Sequence, residues 1–199
     1  MRAAIAILLL ILVLPGANAT TLANIPLSEL FSEADVVALV EVAEGHLLEE
    51  GPETCGAVYR ATVKEGLKGI KAGETVEFGP YFGYQIGDQY LLFLTKPGRS
   101  FDPKSSTNGA IESAQQSIVQ RCQPKWKFLA VMHSGNGALP VNWSSQFEYK
   151  DSVRIPTRYI GIPKTIETKP AMPSDNEKFS SVVWVRLETM LNALRGLQK

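Results

Sequence analysis

Two cysteines, two histidines and one aromatic loop carry most of the chemical potential of this 199-residue sequence. Cys55 and Cys122 allow a single intramolecular pairing. In an oxidising compartment that pairing is a disulfide by default, and closing so long a loop stabilises a chain by about 4 kcal/mol in the chain-entropy picture. A zinc site from His46, Cys55, Cys122 and His133 is the alternative, but the spacings match no compact zinc motif. Ser134 follows His133, yet neighbours at a strand end point apart, and no acid close in sequence orients the ring. The sequence holds neither a GxSxG elbow nor an HExxH pair. Asp35, Glu49 and Glu50 have the character of solvated loop carboxylates. The expectation is a non-catalytic chain with no metal and no cofactor.

The loop is Gly79-Pro80-Tyr81-Phe82-Gly83-Tyr84-Gln85-Ile86-Gly87. Three aromatic residues among three inner and flanking glycines are costly to expose and are the residue types that anchor interfaces. Tyr81, Phe82, Tyr84 and Gln85 are therefore the candidate partner-binding residues. The competing expectation is that the aromatic rings fold back and plug the end of a small barrel.

The elements that position this loop are short and mostly extended. Pro26 to Ala34 reads as a helix, with Leu27, Leu30, Phe31 and Ala34 on one stripe. Val36 to Glu44 is a β-branched strand. Ala57 to Lys64 alternates, with Ala57, Tyr59, Ala61 and Val63 on one face. Glu74 to Gly79 turns Val76 and Phe78 inward, and Gln89 to Thr95 is an apolar strand. Residues 98–117 form a polar loop. Trp126 to Met132 is a further strand, with Ala138 to Trp143 as its hairpin partner. The prolines of residues 144–173 argue for extended connections. A C-terminal helix over 174–196 follows from the Ser174–Glu177 capping box and from the stripe Phe179, Val183, Leu187, Leu191, Leu194. Arg186, Glu188 and Arg195 form its solvated side.

Residues 1–19 have the pattern of a signal peptide: Arg2, an apolar run from Ala3 to Leu14, and the Ala17-Asn18-Ala19 cleavage site. The mature chain would start at Thr20 in the periplasm or outside the cell, with no stable membrane insertion after cleavage. The 20 basic and 20 acidic residues balance, so there is no bulk attraction for phosphate backbones and nucleic acid is not an expected partner.

The pattern amounts to a mostly β fold with helices at its periphery: a five-stranded OB-like Greek-key barrel, in a single domain over 20–199 with 126–173 as an extension or as its completion. Its order of residues strengthens that picture. Leu27, Leu30, Phe31, Ala34-Asp35-Val36-Val37, then Cys55-Gly56, Tyr59, Ala61, Val63 and Leu67-Lys68-Gly69, then Gly87-Asp88 and Tyr90-Leu91-Leu92-Phe93-Leu94, resemble bacterial exported proteins related to the netrin and TIMP-like OB-fold module. The resemblance spans roughly residues 22–125 and implies a protein-binding scaffold, in some members a metalloprotease inhibitor. The inhibitors chelate zinc through an N-terminal cysteine. Here the expected start is Thr20-Thr21-Leu22, so that preorganised chelate is missing. The leading expectation is an exported module that binds another protein. The alternatives are a periplasmic immunity or accessory protein for one dedicated partner, and a carbohydrate or small-ligand binder stacking on Tyr81, Phe82, Tyr84 and Trp143.

Overall fold

In the first half of the chain, alternation sets the structure. The computed structural model describes residues 24–51, 53–97, 126–142, 151–171 and 181–198. The expected signal peptide (1–19), polar loop (98–117) and Ser174–Glu177 capping box, together with Cys122 and Trp143, lie outside the described residues. A two-residue strand, β1 (Ile25–Pro26), leads into α1 (Leu27–Glu33), which buries Leu27, Leu30 and Phe31. Ala34 ends the helix by turning to extended backbone. The Lys68 ammonium donates to the carbonyls of Phe31 and Ser32, both at 2.9 Å, and so satisfies acceptors that the last helical turn leaves open.

β2 (Val36–Glu50) and β3 (Glu53–Lys68) form one long antiparallel hairpin; β2 starts at the expected Val36 but runs past Glu44, and β3 is longer at both ends than the alternation predicted. β4 (Thr75–Gly79) pairs with β3, and β5 (Gln89–Thr95) pairs with β2. β6 (Leu129–Val131) pairs in parallel with β4 and antiparallel with β5. The stretch β5-β2-β3-β4-β6 therefore closes on itself, giving a barrel-like ring within a mostly β fold.

The remaining strands extend from the ring. β7 (Ala138–Asn142) takes the same edge of β5 as β6 but at its other end, opposite Gln89–Leu92. β8 (Ser152–Pro156), β11 (Val182–Arg186) and β10 (Lys169–Pro170) follow in that order as a side sheet. β9 (Ile160–Gly161) pairs with β1. The chain ends in α2 (Leu187–Gly196).

Two large apolar clusters result. The ring interior holds Val36, Ala38, Val40 and Val42 from β2, Ala57, Tyr59, Ala61 and Val63 from β3, with Val76, Phe78, Tyr90, Leu92, Leu94 and Val131. The inward face expected for β4 is the one observed, and the face that Ala57, Tyr59, Ala61 and Val63 share on β3 is the interior one. The second cluster lies between β5, the side sheet and both helices. It gathers Val37, Leu91, Phe93, Leu139, Val153, Ile155, Val183, Val185, Met190, Leu191 and Leu194 around Leu27, Leu30 and Phe31. β5 is buried on both faces because its alternate residues serve different clusters.

Several expectations need correction. Residues 182–186 are a strand, so the C-terminal helix begins at Leu187 rather than near 174. The Val-Val-Trp-Val run prefers a pleated, flanked position between β8 and β10, and that overrides the helical spacing of Val183 and Leu187. Residues 144–173 are not merely connections. β8 and β10 end at Pro156 and Pro170, where a missing N–H is tolerated. The strand expected over Trp126–Met132 is only Leu129–Val131, and β7 pairs with β5 and β8 rather than returning along β6.

Candidate functional site

The loop from Pro80 to Asp88 crosses one end of the ring and is held at both margins. The Ala57 N–H donates to the Pro80 carbonyl at 3.0 Å. Next to it, Gly56 has a positive φ of 126°, and a Cβ there would collide with the Pro80 carbonyl. At the other margin, Val42 N–H donates to the Asp88 carbonyl at 3.0 Å, and Gly87 N–H to the Val42 carbonyl at 2.8 Å. A two-point anchorage of this kind fixes the loop relative to β2 and β3.

Between the anchors the four candidate residues separate. Tyr84 folds inward. Its ring makes edge contacts with Tyr59, Phe78 and Tyr90, with centroids 5.0, 5.2 and 5.2 Å away. Burial, then the neighbouring phenols Tyr81, Tyr90 and Tyr59, push its own phenol well above the usual range. The Tyr59 ring in turn lies against Gly45, where a Cβ would stand 2.8 Å from it. The Gln85 N–H donates to the Tyr90 hydroxyl at 3.2 Å, while the Gln85 side chain is exposed. Burial also raises the Tyr90 phenol, partly offset by that hydrogen bond. Tyr81 is half-buried and lies against the turn after β6, 3.4 Å from where a Cβ of Gly135 would be. Phe82 turns out to solvent and is 62% exposed.

The plug and the surface are thus both present, on different residues of one loop. Ile86, which the aromatic pattern did not single out, is 67% exposed and stands beside the Gly87 anchor. Its exposure has no periodic signal in sequence.

His133 is the other group that spacing left undistinguished. It opens a 3-10 turn, His133–Gly135, between β6 and β7, and its φ of 49° is a left-handed value rare for a residue with a side chain. Its Nε2 is buried with no hydrogen-bond partner. Burial lowers its affinity for a proton, and Glu33 and Glu29 of α1 oppose that shift in part. Asn136 bonds back to the His133 carbonyl through its N–H and its side-chain amide, at 3.0 and 2.9 Å, which holds the turn.

Cys55 is 7% exposed and packs with Val58, Trp126 and Phe128. No cysteine is free among the described residues. Among the same residues, no three of His, Cys, Asp and Glu come together in a way that would hold a metal ion. No described helix is long and apolar enough to cross a membrane. Comparison with models of known protein families, with curated proteins and with solved structures found no match to this chain.

Proposed function

We propose that this chain is an exported, non-catalytic protein-binding module on an OB-type barrel. The strand order supports the barrel reading. Of the five ring pairings, only that between the third and fifth strands is parallel, and the first strand pairs with both the second and the fourth. The leader pattern of residues 1–19 supports export, to the periplasm or beyond. In that compartment the Cys55–Cys122 pair is a disulfide that staples the chain near the loop.

The observation that carries the binding reading is the state of the Pro80–Asp88 loop. It is anchored at both ends and pinned by Tyr84, yet presents Phe82 and Ile86 to solvent. A fixed backbone lowers the ordering cost of binding, and exposed large apolar groups supply the contact. The partner is another protein, and inhibition of a protease is the narrower form of this reading.

The test is affinity capture from an envelope extract with the mature chain, beside a Phe82→Ser/Ile86→Ser double variant. The wild type retains a discrete protein and the double variant loses it at unchanged melting temperature. Equal capture by both would remove the loop from the interface.

A further inference from the structure

The hairpin of β2 and β3 outruns the ring. β5 pairs with β2 over Val36–Glu41, and the loop anchor adds Val42. Beyond that point β2 continues to Glu50, paired with β3 on one edge only. Ala43 to Glu49 make no hydrogen bond on the other edge to any described residue. Ala43 to Leu47 and Glu49 are exposed, and Leu48 is half-buried. A register shift between Val42 and Glu44 marks where this free segment starts.

An unpaired strand edge is a template for another strand. Two features say what kind. Leu47 shares a face with Ala57 and Tyr59 and is 57% exposed, and Ile86 is exposed at the point where β5 stops covering β2. An added strand would continue the line of β5 and meet both. The second feature is charge. Residues 43–53 include Glu44, Glu49, Glu50 and Glu53 and no Lys or Arg. Arg60 lies across from Glu44 and is shared with Glu77. A second copy of this edge would bring acid beside acid, whereas a basic strand would be complemented.

We propose that Ala43–Glu49 receives, by β-strand addition, an extended segment of another protein in which Lys or Arg alternates with an apolar residue. This rests on the protein-binding reading and names the chemistry of its partner.

The test uses the mature chain and three capped probe peptides: (Lys-Val)4, (Glu-Val)4, and (Lys-Val)4 N-methylated at alternate residues. Hydrogen exchange is read residue by residue. The expected result is at least about 10-fold slower exchange within 43–49 with (Lys-Val)4, and none with the other two. A Glu49→Lys/Glu50→Lys variant should reverse the preference towards (Glu-Val)4. Protection elsewhere, or by neither peptide, overturns the proposal. Protection that rises with protein concentration alone also overturns it, in favour of self-pairing. Peptide protection together with failed capture from the extract would keep the edge and sink the proposed function; capture without peptide protection would do the opposite.

Discussion

In the barrel-like ring, the residues that share the interior are two apart in sequence: 36, 38, 40, 42 on β2 and 57, 59, 61, 63 on β3. In the cluster beside it, the residues come from both helices and from β2, β3, β5, β7, β8 and β11, separated by long stretches of chain. Both are buried, but only the first is written as a period. The ring teaches how far strand alternation reaches. The side cluster teaches that apolar faces without a local rhythm find one another only when the chain closes.

β5 is where that comparison can be broken most severely. Leu92 faces the ring and Phe93 the side cluster, and both are fully buried. Phe93→Ala should cost about 3–5 kcal/mol and Leu92→Ala about 2–5 in denaturant unfolding. If the two clusters are one cooperative unit, amides of β3 and β8 will lose protection together in either variant. Loss confined to β8 in Phe93→Ala would show that the side sheet opens by itself.

The staple comes next. Cys55→Ser should lower stability by about 4 kcal/mol if the pairing with Cys122 holds. Unreduced, the mature chain should weigh less than its reduced form by the two thiol hydrogens. Free thiols on both residues would end the disulfide proposal.

The loop sharpens the contrast between inside and outside on a single segment. Tyr84→Ala removes a ring packed on three others and should cost about 3 kcal/mol. Phe82 is mostly exposed, so Phe82→Ser should change stability by less than about 0.5 kcal/mol. Equal effects would mean that Phe82 also belongs to the plug.

A smaller effect is expected at His133. Its folded proton affinity is lowered, so the unfolded chain binds more protons as pH falls. The stability it protects is complete above about pH 6.5, the unfolded value, and is lost as pH drops towards the depressed folded one. His133→Asn suits the left-handed backbone and removes the titration. The slope of melting temperature below about pH 6.5 should flatten in that variant. An unchanged slope would place the acid sensitivity elsewhere.

Much of the fold was legible in the residues. The β5 limits, the shared face on β3, the inward face of β4, and the short helix before β2 follow from alternation and from Pro26. The C-terminal helix was legible only in part. Leu187, Leu191 and Leu194 do lie on α2, but Val183 joins a strand because β8 and β10 supply neighbours that the sequence does not name. At the loop, sequence marked nine residues without sorting them. Tyr84 and Phe82 are equally aromatic; the one that turns inward is the one that meets Tyr59, Phe78 and Tyr90, rings brought together from three strands.

By itself, then, the sequence determined the short-range features: strand faces, turn sites, the leader pattern and the one possible cysteine pair. These depend on side chains within a few residues, whose spacing alone fixes what they meet. Closure of the ring through β6, the shared edge of β5, the edge of β2 that no described residue pairs and the split of the aromatic loop were decided only in three dimensions. Each depends on which distant backbone arrives to offer hydrogen bonds, and no local period encodes that arrival.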